Sequence, residues 1–70
     1  MKEKIIKTAG SIWNVLREKD KVEISRLPKM VGEKTVVVYQ AIGWLAREDK
    51  IVYHKKGDKT YVALPEHERG

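Results

Sequence analysis

Lys50, Lys55, Lys56 and Lys59 fall within one short stretch in which Asp58 is the single acid, so four cations against one anion give it a local charge of +3. The whole chain carries a formal +5, so most of its excess positive charge is concentrated there. Ammonium groups gathered in this way suit phosphate oxygens, and binding of that kind is strongly salt-dependent because each neutralised phosphate releases a counterion. The alternative use of the same lysines is to keep an exposed strand edge from pairing with other chains. Other chemistry is poorly supplied. Cysteine is absent, and the two histidines, His54 and His67, lie far apart in sequence, so a zinc shell has neither thiolates nor a matched histidine pair. Paired carboxylates, a Ser/His/Asp set and a glycine-rich phosphate loop are all missing at usable spacing, and Gly32 and Gly57 read as turn residues. The expectation is a non-enzymatic protein without cofactor, metal or small-molecule substrate.

These residues must be positioned by a small scaffold. Seventy residues leave room for one hydrophobic core, and 41% hydrophobic against 36% charged residues is enough to build it. A sequence pI of about 9.6 makes a polyanionic partner plausible on charge grounds. The longest apolar run, Val36-Val37-Val38-Tyr39, is far too short for a membrane span or a signal core. A soluble, cytoplasmic protein with no membrane partner is therefore expected.

The apolar pattern divides the chain into elements. Ile5, Ala9, Ile12 and Leu16 recur at steps of three and four, with Ile6 and Trp13 widening one edge, and predict an amphipathic helix from Lys2 to Lys19. Gly10 weakens its middle by about 1 kcal/mol relative to alanine, a cost that makes sense where another backbone approaches. The mixed charges of Arg17-Glu18-Lys19-Asp20-Lys21 read as a solvated helix end and turn. Val22-Glu23-Ile24 alternates like a very short strand with Val22 and Ile24 inward. Ser25 can cap a second helix from Arg26 to Val31, with Pro28 in its first turn, Gly32 as its stop and Leu27, Met30 and Val31 turned inward.

A third helix is predicted from Lys34 to Glu48, where Val38, Ala41, Ile42 and Leu45 share one face and outweigh the β-branched run before them. After it, Ile51–Lys56 and Lys59–Leu64 read as two strands joined by the two-residue turn Gly57-Asp58. Counting outward from that turn pairs Ile51 with Leu64, Tyr53 with Val62 and Lys55 with Thr60 on one face, the more apolar one, which should cover the core. Val52 with Ala63, His54 with Tyr61 and Lys56 with Lys59 occupy the other. Pro65 stops the strand, so residues 1–65 form the domain and 66–70 a flexible tail.

Helix, short strand, helix, turn, helix and hairpin is the order of a winged helix domain. Nearer still, Tyr39-Gln40-Ala41-Ile42-Gly43-Trp44-Leu45-Ala46-Arg47-Glu48-Asp49-Lys50-Ile51 resembles the stretch shared by a family of small bacterial and archaeal winged helix-turn-helix proteins of unknown function. The resemblance spans nearly the whole chain. It implies an α+β winged helix-turn-helix fold, with three helices and a small antiparallel sheet made of the short strand and a C-terminal hairpin wing.

In such a fold the third helix enters the DNA major groove while nearby basic residues hold phosphates. Gln40 can read an adenine edge, Arg47 can hold a phosphate or a guanine, and Lys34 starts the helix; the wing adds Lys55, Lys56 and Lys59. The helix face opposite the core is nonetheless bland. It carries Val36, Gln40, Gly43 and Arg47, with Tyr39 toward one edge and Val37 and Trp44 toward the other, where ordinary winged-helix regulators would have arginine or lysine near Gly43 and Trp44. Two functions therefore fit the sequence: a DNA-binding and regulatory module, or a protein-interaction domain that homodimerises through Val36, Tyr39, Gly43 and Trp44. Trp13 and Trp44 also suit the core or its edge, because a tryptophan removes much area from water.

Overall fold

The computed structural model describes residues 2–66, and the remainder of the expected tail, 67–70, lies outside the described residues. The chain runs α1 (Lys2–Glu18), β1 (Val22–Glu23), a 3-10 turn (Ile24–Arg26), α2 (Leu27–Val31), α3 (Thr35–Arg47), β2 (Val52–Lys56) and β3 (Lys59–Ala63). The three strands form one antiparallel sheet in the order β1-β3-β2. This is the winged helix-turn-helix arrangement.

Helical periodicity sets the core. Ala9, Ile12 and Leu16 of α1 meet Val38, Ala41, Ile42 and Leu45 of α3, and Leu27, Val22, Ile51, Val62 and Leu64 close the cluster from α2 and the sheet. Ile12, Leu27, Val38, Ile42 and Val62 are fully buried, each contributing roughly 1.5–3 kcal/mol through apolar area removed from water.

α3 is set deeper than its four-residue stripe requires. Val37, expected at an exposed edge, is buried, although it lies about 90° from the centre of that stripe at 100° per residue. On α1 the edge of the stripe is open instead: Ile6 is exposed, Trp13 is half-buried, and among the described residues nothing beyond the chain neighbours and helix backbone of Gly10 comes within 4 Å of where its Cβ would stand. The glycine therefore does not serve a close approach inside this domain.

Between β1 and α2 the chain departs from the expected capped helix. Ile24 belongs to the 3-10 turn and is only half-buried, and Arg26 at φ −89°, ψ −19° already has helical geometry. Ser25 is thus inside a continuous helical path, whereas a capping residue needs an extended backbone, and it makes no cap hydrogen bond. Pro28 stands in the first turn and Gly32 ends α2 in the left-handed region at φ 68°. Met30, expected inside, is exposed, because a helix of five residues buries one narrow stripe, here centred on Leu27.

α3 ends in a full Schellman motif. Lys50 N–H donates to the Leu45 carbonyl at 2.9 Å and Asp49 N–H to that of Ala46 at 3.1 Å, with Asp49 in the left-handed region at φ 58°.

The hairpin register is the one counted from the turn, with Val52 opposite Ala63, Tyr53 opposite Val62, His54 opposite Tyr61, Lys55 opposite Thr60 and Lys56 opposite Lys59. Gly57 has φ 64° and Asp58 is not among the positive-φ residues, the φ pattern of a type II′ turn. Ile51, Val62 and Leu64 cover the core as expected, but Tyr53 on the same face is exposed. β2 is the outer strand and every one of its residues is exposed, so its inner face overhangs the helical layer.

Candidate nucleic-acid interface

α3 presents a largely uncharged outer side. Val36 is 60% exposed, Tyr39 45% and Trp44 38%, and Gln40, Gly43 and Arg47 are exposed beside them. Val36, Tyr39 and Gly43 follow i, i+3 and i+7 and lie along one stripe; Gln40 and Arg47, seven residues apart, run next to it. Trp44 is on the other flank, where it lines a hollow of about 270 Å3 between α1 and α3 with Ile6, Gly10 and Trp13. In that region the buried Trp13 Nε1 has no hydrogen-bond partner among the described residues, and the Arg17 guanidinium lies 5.0 Å from the Trp13 ring centre.

Lys34 stands apart from the other helix residues. It is the N-terminal boundary residue of α3, at φ −68° and ψ 147°, so it lies about 20 Å along the axis from Arg47 at 1.5 Å per residue. Its backbone N–H donates to Glu33 Oε1 at 3.1 Å, and the same carboxylate oxygen is 3.6 Å from Lys4 Nζ. Glu33 thus accepts from the boundary residue itself, while among the described residues no side chain caps the first turn of α3.

The tip of the wing gathers Lys55, Lys56 and Lys59, but on two faces. Lys55 points with Thr60 and Tyr53 to the inner side, whereas Lys56 and Lys59 stand opposite one another on the outer side with His54 and Tyr61. All three lysines are exposed and none forms an ion pair within the described residues. Among the described residues no group of three or more His, Cys, Asp and Glu comes together, and no helix is long and apolar enough to cross a membrane.

One cationic region was not singled out by sequence. Lys19, Lys21, Ser25, Arg26, Lys29 and Met30 line an open hollow of about 750 Å3 where the α1–β1 link meets the turn into α2. The charged run at 17–21 reads as ordinary solvated turn, and only the tertiary fold brings it to Arg26 and Lys29. The Lys21 ammonium lies 5.2 Å from the Tyr61 ring centre, tying this region to the outer face of the sheet.

Comparison with known proteins agrees with this architecture. Residues 1–64 match the family model described as winged helix-turn-helix domain (DUF2582). The chain is 44% identical over 61 residues to the uncharacterized protein MJ1608 of Methanocaldococcus jannaschii, an alignment covering 84% of this chain and 86% of that protein. Among solved structures, protein BT2368 from Bacteroides thetaiotaomicron, determined by solution NMR, superposes with a TM-score of 0.82 at 32% identity, over 94% of this chain and 80% of that one. Reduced HlyU from Vibrio cholerae superposes with a TM-score of 0.77 at 16% identity, over 94% and 70% respectively, a likeness of fold alone.

Proposed function

Because this chain belongs to the winged helix-turn-helix domain family DUF2582, we propose that it is a non-enzymatic DNA-binding module, residues 1–65 acting as one unit with a role in transcription regulation. The observation that carries this reading is the wing tip, where Lys55, Lys56 and Lys59 are exposed and form no ion pair within the described residues, on a hairpin next to a helix-turn-helix. Lys56 and Lys59 repel each other across the ladder, and a phosphate between them relieves that repulsion. On α3, Gln40 is suited to reading an adenine edge in bidentate fashion, Arg47 holds a phosphate or guanine, and Lys34 adds a backbone contact at the helix start. Most of the affinity is sequence-independent in this reading, because the outer side of α3 is mainly apolar.

The test is fluorescence anisotropy of a short labelled duplex at low and at physiological salt. Binding at low salt that weakens steeply with added salt supports the proposal, and replacing Lys55, Lys56 and Lys59 by alanine lowers affinity for all sequences alike. No binding even at low salt removes it.

A second reading is favoured by the exposure of Val36, Tyr39 and Trp44: self-association through α3, with Gly43 letting the partner's backbone approach. Open space surrounds a Cβ at Gly43, so Gly43→Arg fits the monomer and blocks only such a contact. Sedimentation in which wild type is dimeric and Gly43→Arg monomeric supports this reading; a wild type that is monomeric at every concentration sinks it.

A further inference from the structure

The hollow beside α2 has a composition that the wing and α3 do not account for. Lys19, Lys21, Arg26 and Lys29 converge on it, Ser25 adds a hydroxyl, and no carboxylate among the described residues lines it. Lys19, Arg26 and Lys29 form no ion pair within the described residues. A concave surface lined by one sign of charge focuses the field and draws the opposite charge to it. Next to it is a second open hollow, of about 430 Å3, lined by Lys21, His54, Lys55, Lys56, Asp20 and Leu64 among others. Lys21 belongs to both, and its ammonium is held near the Tyr61 ring at the junction. The two linings together include six lysines and arginines, of which Lys55 alone belongs to the other face of the hairpin, and one acid, Asp20.

We propose that these two hollows form one continuous track for the sugar–phosphate backbone of duplex DNA, running from Lys29 and Arg26 past Lys19 and Lys21 to Lys55 and Lys56 of the wing. The track rests on the DNA-binding reading above and deepens it, because it extends the electrostatic grip from the wing tip to the side of the domain built by α2 and β1. Its dimensions suit the ligand. The domain is 30 Å in its longest extent, and one DNA strand places a phosphate about every 3.4 Å along the axis, so about nine phosphates pass along it at most. Six cations are well within that number. Ser25 donates its hydroxyl to a phosphate oxygen, and the exposed Met30 side chain lies against a sugar. Lysines act here as point charges, so the track reads backbone and not sequence.

The experiment titrates labelled duplex with wild type, with the combined variant Lys19→Ala, Arg26→Ala, Lys29→Ala, and with the combined wing variant Lys55→Ala, Lys56→Ala, Lys59→Ala, across a series of salt concentrations. All six residues are exposed, and circular dichroism checks that each variant is folded. The α2-side variant is expected to bind every duplex more weakly and to flatten the slope of log affinity against log salt by about 0.9 for each phosphate that is no longer neutralised. If it binds with the affinity and slope of wild type while the wing variant is weakened, the track is wrong and the DNA-binding reading stands. If wild type binds no duplex at low salt, both fall.

Discussion

Lys56 and Lys59 face each other directly across β2 and β3, the last matched pair before the Gly57-Asp58 turn. Two ammonium groups at adjacent cross-strand positions disfavour the very hairpin that carries them. Lys59→Glu converts the repulsion into an attraction and is expected to raise stability by about 0.2–1 kcal/mol in urea denaturation, while lowering duplex affinity at low salt. A variant that gains stability and loses no affinity removes the tip from the binding surface.

The Schellman turn after α3 predicts a stabilising substitution. Asp49 occupies the left-handed position at φ 58°, which aspartate tolerates better than most L-residues but which glycine, having no Cβ, enters without steric cost. Asp49→Gly should move the urea midpoint upward by about 1 kcal/mol of stability without changing the slope of the transition. Asp49→Val should move it the other way.

Core and ridge positions should separate cleanly by size of effect. Leu27 is fully buried on a helix of only five residues, so Leu27→Ala is expected to cost about 2–5 kcal/mol in urea denaturation. Val36, 60% exposed, should cost less than about 0.5 kcal/mol when changed to Ala in the monomer. A large loss at Val36 under conditions where the protein self-associates would instead report the α3 interface.

Gln40 distinguishes readout from positioning. If it reads an adenine edge, Gln40→Ala relaxes sequence preference by about 1–3 kcal/mol at one base pair and leaves the salt slope unchanged. A uniform change across sequences would mean that the side chain sits on the backbone.

How far the letters predict the molecule depends on whether the interaction is local. The register of the wing was readable because a two-residue loop admits one pairing, and the face of α3 carrying Val38, Ala41, Ile42 and Leu45 was readable because four apolar residues at helical spacing have one way to be buried together. The 39–51 segment carried the family likeness that the comparisons bear out. Ser25, Met30, Val37 and Tyr53 went otherwise for reasons absent from any short window: a 3-10 turn that carries the chain helically into α2, a helix too short to bury both flanks, the depth at which α3 is seated, and the overhang of an outer strand. The same reason hides the hollow beside α2. Lys19 and Lys21 belong to one charged run and Arg26 and Lys29 to another element, and only packing of α1, β1 and α2 turns two unremarkable stretches into one concave surface. Of the α3 residues, the fold aligns Gln40 with Arg47 but puts Lys34 at the far end and Trp44 on another flank.

β1 is two residues long and pairs only with Tyr61 and Val62 of β3. Beyond Tyr61 the sheet narrows to a ribbon of two strands, an arrangement that is marginal on its own in water. Amide protons toward the tip, from Lys55 to Thr60, should therefore exchange with deuterium much faster than those of α1 and α3, through openings that leave the core intact. Tyr61 becomes the hinge of this ribbon, and the lysines beyond it ride on a limb that can adjust its angle to a curved surface while the helices keep still.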